Sequence, residues 1–186
     1  MMKKCVFLDR DGTINVEVDY LYKKEDFRWE KGAIEALTIL KKLGYMLIVV
    51  TNQSGIARGK YSEEDLQRLH DYMQEELKGY GIQIDAFYYC PHHPSGIGEY
   101  AVECRCRKPE PEMLEKAIKH YDIDVENSYI VGDKLSDCFA GARVGVKGVL
   151  VKTGHGLEEN SIPSEMRVEE SLHSFAKGLQ ERGGNK

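Results

Sequence analysis

Asp9 and Asp11 stand two positions apart in Asp9-Arg10-Asp11-Gly12-Thr13, directly after the apolar run Cys5–Leu8. In extended chain, residues i and i+2 lean to the same side, so both carboxylates converge. Gly12 then lets the chain turn. Two acids in different surroundings can divide a group transfer between them. One stays ionised as nucleophile or metal ligand, while the other handles the proton of the leaving group. An isolated Asp-x-Asp-Gly is equally a polar turn, so catalysis requires partners elsewhere in the chain.

Those partners follow other apolar runs. Thr51-Asn52-Gln53-Ser54-Gly55 comes after Met46–Val50 and supplies a hydroxyl, amides and a flexible backbone that can donate to phosphoryl oxygens, with Thr51 the first choice. Taken alone it could be a loop that bonds only itself. Gly132-Asp133-Lys134 follows Tyr129–Val131 and puts a carboxylate where a cation bridging to Asp9 would sit. Mg²⁺ prefers oxygen ligands, and these are oxygens. As a lone tripeptide it is an ordinary surface turn.

Cys90-Pro91-His92 and Cys104-Arg105-Cys106 suit a different metal. Each pair has two-residue spacing, which in extended chain directs both side chains to one side. Three thiolates and one imidazole make a closed tetrahedral Zn²⁺ set with no position left for a catalytic water. His93 is the competing ligand, turned away by the alternation that aligns Cys90 with His92. The alternative is three reduced cysteines in an irregular loop. Zinc in residues 90–106 would tie down the chain immediately before Arg107 and Lys108.

Short apolar runs at Cys5–Leu8, Met46–Val50, Ala86–Tyr89, Tyr129–Val131 and Val149–Val151 alternate with segments of helical period. Ile34, Leu37, Leu40 and Leu43 share a helix face before Gly44. Ser62 and Asp65 form a capping-box start for a helix with Leu66, Leu69, Met73 and Leu77, ending near Gly79. Pro111 opens a third helix, a fourth runs from Lys134 to about Arg143, and an amphipathic segment spans residues 168–179. The expected fold is α/β: a doubly wound, Rossmann-like parallel sheet that binds ligands beyond the carboxyl ends of its strands. One domain over 1–186 is expected, with residues 181–186 a frayed, disordered tail. No inter-strand insertion is long enough for a separate cap domain.

At 186 residues, with 41% hydrophobic and 31% charged positions, the chain can bury a sizeable core. Its net charge of -5 offers polyanions no broad attraction, so neither nucleic acid nor membrane is an expected partner; a small diffusible molecule is. The apolar run Met46–Val50 is far short of a bilayer span. Five cysteines, three of them crowded with histidines, point to metal ligation in a reducing cytoplasm rather than to secreted disulfides. Cys5 and Cys138 read as small core residues, His155 as pocket-lining or solvated, and Trp29, His70, His120 and His173 as packing or facing water.

Together, D-x-D-G-T, T-N, R-K-P and G-D-K-x-x-D resemble the haloacid dehalogenase superfamily of phosphotransferases across nearly the whole chain. The resemblance implies that Asp9 attacks phosphorus to give an aspartyl-phosphate. Asp11 would protonate the leaving alcohol and later activate water, and Lys108 would pair with both phosphate and nucleophile. Mg²⁺ would be held by Asp9, Asp133 and the backbone carbonyl of Asp11, with Asp137 in support. C-P-H-H-P, C-R-C-R-K-P-x-P and T-N-Q-S-G-I-A-R-G narrow the resemblance to the D-glycero-D-manno-heptose 1,7-bisphosphate 7-phosphatase family. The implied role is hydrolysis of the 7-phosphate in nucleotide-activated heptose biosynthesis. The family's substrate contacts match Arg10, Glu17, Val18, Asp19, Tyr20, Asn52, Gln53, Ser54, Arg107 and Lys134, and a monomer is expected. Histidinol-phosphate phosphatases are similar, but typically have a shorter loop between the two ligand pairs. A phosphoacceptor signalling domain is the rival from another class; its acids would be adjacent and its acceptor would follow the third strand.

Overall fold

The computed structural model describes residues 2–159 and 161–183. Six strands, β1 (Cys5–Leu8), β2 (Met46–Asn52), β3 (Ala86–Cys90), β4 (Tyr129–Gly132), β5 (Lys147–Val151) and β6 (Arg167–Glu169), form one sheet in the order β3-β2-β1-β4-β5-β6. Every neighbouring pair is parallel. The crossovers are α1 (Ala33–Lys42), a single turn α2 (Ser54–Ala57), α3 (Glu63–Lys78), α4 (Glu112–Tyr121) and α5 (Leu135–Ala142), and α6 (Leu172–Gly183) follows β6.

The period-2 alternation of the central strands splits the core into two layers. Val6, Leu8, Leu47 and Val49 face Leu37 and Leu40 of α1, Met73 and Leu77 of α3, and Phe175 of α6. Cys5, Phe7, Ile48 and Val50 face Met113, Leu114 and Ala117 of α4 and Ala140 of α5. Both faces of β1 and β2 are therefore dry, which is why these strands read as unbroken apolar runs. Each fully buried Leu, Ile or Phe contributes roughly 1.5–3 kcal/mol. Ser62 caps α3 as expected: its hydroxyl accepts from Asp65 N–H (3.1 Å), while Asp65 accepts from Ser62 N–H (2.9 Å).

The doubly wound architecture is as expected, with three differences in detail. Residues 167–169, partly assigned to the last amphipathic segment, instead form the edge strand β6. Its Arg167 and Glu169 pair with each other (2.7 Å), and a charged three-residue edge carries no apolar alternation to betray it. Helix α6 runs to Gly183, so residues 181–183 of the expected frayed tail are helical, and 184–186 lie outside the described residues. α2 is too short for a periodic signal. Between β1 and α1 the chain makes a small excursion held by isolated bridges Asp11–Asn15 and Asn15–Trp29. No cap is built there.

Candidate active site

The carboxyl ends of β1, β2 and β4 open into a cavity of about 430 Å³. Of the expected residues, Asp9, Asp11, Glu17, Val18, Asp19, Tyr20, Thr51, Asn52, Gln53, Ser54, Arg107, Lys108, Lys134 and Asp137 line it. Asp133 lies fully buried beneath it. Leu21, Gly55, Tyr61, Ser136 and His155 complete the lining; Ser136 and Tyr61 carry no motif that would have singled them out.

Lys108 is the electrostatic centre. Its Nζ donates to Asp9 Oδ1 (2.8 Å) and to the Val50 carbonyl (2.6 Å), and pairs with Asp137 Oδ1 (2.5 Å). Burial works against its charge, yet Asp137 and Asp9 outweigh burial and hold it well above the usual lysine range. Asn52 fixes its backbone, accepting from Lys108 N–H (3.0 Å) and donating to its carbonyl (3.1 Å). A residue distant in sequence is thus locked against the end of β2.

Asp11 has different neighbours. Burial would raise its pKa, but Arg10, Asn15 and Gln53 prevail and lower it. Arg10 Nη2 donates to both carboxylate oxygens (2.9 and 3.0 Å), Asn15 Nδ2 to Oδ1 (3.0 Å) and Gln53 Nε2 to Oδ2 (2.9 Å). Arg10 is fully buried behind the cavity wall, and its fork on Asp11, which lines the cavity, lets it position that carboxylate. These hydrogen bonds favour the charged form of Asp11. His70, also unassigned, backs Arg10 (Nη1 to Nε2, 3.4 Å) and stacks on Phe87. Burial and Arg10 depress His70 to about 3.

The third carboxylate, Asp133, is only partly compensated. Asp9, Asp133 and Asp137 each place an oxygen within 4.8 Å of the others'. Burial and then Asp9 push Asp133 up to about 8, and burial raises Asp137 to about 6 despite Lys108. Asp133 Oδ2 accepts from His155 N–H (2.8 Å), while its buried Oδ1 has no partner. Thr153 Oγ1 donates to the Gly12 carbonyl (2.6 Å), joining the loop after β5 to the loop after β1. A buried, unpartnered oxygen beside two further carboxylates fits a hard dication such as Mg²⁺.

Cys90, His92, Cys104 and Cys106 also converge, within 4.8 Å of one another. Cys106 Sγ lies 3.0 Å from Cys90 Sγ and 3.2 Å from Cys104 Sγ, and His92 Nδ1 lies 3.3 Å from Cys106 Sγ. His93 is turned outward, its Nδ1 accepting from Ser95 N–H and its Nε2 near Arg58, so the donor set that could hold Zn²⁺ is the expected one. The loop also braces the phosphate-cradle candidates: Gln53 N–H donates to the Cys90 carbonyl (2.8 Å) and Ile97 N–H to the Ala57 carbonyl (2.7 Å).

A parallel sheet with this strand order and an acid pair at the end of β1 defines a haloacid-dehalogenase-type hydrolase fold, and a family model described as "HAD-hyrolase-like" matches residues 105–174. A D-glycero-beta-D-manno-heptose-1,7-bisphosphate 7-phosphatase of Pasteurella multocida (strain Pm70) is 47% identical over 177 residues, covering 95% of this chain and 96% of that one. A D-glycero-alpha-D-manno-heptose-1,7-bisphosphate 7-phosphatase of Photorhabdus laumondii is 50% identical, covering 84% and 86%. The crystal structure of D,D-heptose 1,7-bisphosphate phosphatase from B. bronchiseptica, complexed with magnesium and phosphate, superposes with a TM-score of 0.86 at 34% identity, covering 96% and 99%. The chain belongs to the D-glycero-D-manno-heptose-1,7-bisphosphate 7-phosphatase family. The signalling alternative fails on position, since β3 ends in Cys90 and the acids sit after β1.

Proposed function

We propose that this chain hydrolyses the 7-phosphate of D-glycero-D-manno-heptose 1,7-bisphosphate, with Asp9 as nucleophile. The observation that carries this reading is the Asp9–Lys108–Asp137 array beneath a polar cavity, in a chain 47% identical to a heptose bisphosphatase over nearly its whole length. Mg²⁺ would be held by Asp9, Asp133 and the Asp11 carbonyl, with Asp137 in support, and would supply charge neutralisation for a phosphate approaching these acids. Thr51, Ser54 and the backbone around Asn52 and Gln53 would cradle the phosphoryl oxygens; Lys108 would pair with one of them as Asp9 bonds to phosphorus.

Asp11 would act in both half-reactions. Held ionised by Arg10, Asn15 and Gln53, it accepts a proton from the water that cleaves the aspartyl-phosphate. In the first half-reaction the same carboxyl would deliver the proton to the leaving alcohol, the acid role expected of it. Glu17, Val18, Asp19, Tyr20 and Lys134 would line the sugar. Arg107 Nη1 is buried without a partner, and a guanidinium in that state suits the unreactive phosphate or adjacent hydroxyls. Residues 1–186 would act as one domain and as a monomer, in the cytoplasm, where reduced thiols keep the zinc set intact.

The test is kcat/KM for both heptose 1,7-bisphosphate anomers, fructose 1,6-bisphosphate, histidinol phosphate and an aryl phosphate, with and without Mg²⁺. A heptose bisphosphate should lead. Arg107→Ala should lower that value roughly 10- to 100-fold, as loss of a charge-assisted hydrogen bond does, with a much smaller fall on the aryl phosphate. Equal losses on both would remove Arg107 from recognition, and a preference for histidinol phosphate would overturn the substrate.

A further inference from the structure

His155 lies at the cavity edge in a setting that substrate handling leaves unexplained. Its Nδ1 is 2.9 Å from Glu158 Oε2, and its Nε2 is 3.8 Å from Glu17 Oε2. Glu17, Asp133 and His155 each place one donor atom within 4.8 Å of the others'. Asp133 contributes a fully buried carboxylate whose Oδ1 has no hydrogen-bond partner. An imidazole with one nitrogen tied to an outer carboxylate and the other facing Glu17, in a group that Asp133 completes, is arranged as metal-binding histidines usually are: the outer carboxylate fixes tautomer and ring orientation.

We propose that Glu17, Asp133 and His155 form a second divalent-cation site, selective for a borderline transition metal such as Zn²⁺, whose occupation inhibits the phosphatase. One nitrogen and two oxygens suit Zn²⁺, whereas Mg²⁺ seeks an all-oxygen shell. The inhibitory sign rests on the Mg²⁺ reading above, because Asp133 would serve both cations and each would exclude the other. Lys134 lines the same cavity but is exposed, so its ammonium can turn into solvent as the metal enters. The site is distinct from the cysteine cluster, which closes on four donors of its own.

The experiment is zinc titration by calorimetry on full-length protein already carrying one zinc per chain, with and without excess Mg²⁺, alongside phosphate release at fixed Mg²⁺. Wild type should take up a second zinc, weakened by Mg²⁺, and lose activity in step. His155→Ala should weaken the second uptake at least 10-fold and raise the inhibitory zinc concentration equally. Glu158→Gln, which alters only the outer carboxylate, should weaken it several-fold and serves should His155→Ala fail to fold. No second zinc in wild type, or unchanged uptake in both variants, overturns the site. Uptake indifferent to Mg²⁺ overturns the shared Asp133 and with it the inhibition. Failure of the heptose reading alone would show as absent phosphate release with the second zinc still bound.

Discussion

The cysteine cluster and the carboxylate cluster are both candidate metal centres, yet they are built in opposite ways. The first draws four donors from one segment, residues 90–106, and those donors already converge without opposing charge. The second gathers Asp9 and Asp133 from the ends of β1 and β4, Asp137 from the first turn of α5 and Lys108 from the turn before α4, and its one buried lysine pairs with only two of the three carboxylates. A closed soft set serves rigidity. An open, under-compensated hard set serves binding, since the missing positive charge is what a dication and an incoming substrate interact with.

Substitutions should separate the two centres. Asp9→Asn should give the largest effect, a fall in turnover on the order of 10⁴ together with loss of a trappable phosphoenzyme, while zinc content and melting temperature stay near wild type. Near-native phosphate release from this variant would refute covalent catalysis. Cys104→Ser should act the other way round. Losing a structural zinc ligand should lower stability by roughly 3 kcal/mol or more and zinc content below one per chain. Because residues 90–106 brace Gln53 and lead into Lys108, activity should fall with stability. A fully active, zinc-free Cys104→Ser protein would make the cluster a bystander.

His70 probes the support behind Asp11. Its folded pKa of about 3 lies below the ordinary 6.5, so the folded state takes up its proton later than the unfolded chain does. The sign follows: His70 has no effect above pH 6.5, and between there and about pH 3 it subtracts roughly 1.4 kcal/mol of stability per pH unit. His70→Gln removes the titration while keeping an acceptor for Arg10. Urea unfolding at pH 7 and 4.5 should show wild type losing about 2.5 kcal/mol more than the variant over that interval. Parallel losses would place the acid sensitivity elsewhere.

The same contrast explains what could be seen in the sequence. The zinc set was legible because its spacing is local: alternation over Cys90–His92 and Cys104–Cys106 already puts donors on one side. Asp9, Asp11, Thr51, Asn52 and Asp133 were legible because they directly follow apolar strands, whereas Glu17, Val18, Asp19, Tyr20, Arg107 and Lys108 were picked out only by the family resemblance. The fork of Arg10 on Asp11 was not legible because its other neighbours, Leu21, Gln53 and His70, are brought to it only by tertiary packing, and nothing in Asp-Arg-Asp says that the middle side chain turns inward. Tyr61, whose hydroxyl donates to Gln53 Oε1, and Ser136 escaped for the same reason. β6 escaped because three residues with paired charges carry no periodicity.

The smallest predicted effect bears most directly on the idea that the carboxylate site is under-compensated. Asp133→Asn preserves shape and the acceptor for His155 N–H, but removes a buried carboxyl whose ionised form burial and Asp9 disfavour, pushing its pKa up to about 8. In chelator, without divalent cation, the variant should be more stable than wild type by about 1 kcal/mol, the usual gain when a functional site is relieved of strain. With excess Mg²⁺ the order should reverse, because wild type gains binding free energy that the variant cannot. Activity should be lost under both conditions. If Asp133→Asn destabilised the metal-free protein, the three carboxylates would be compensated by the fold itself, and the contrast between a closed structural centre and an open functional one would fail.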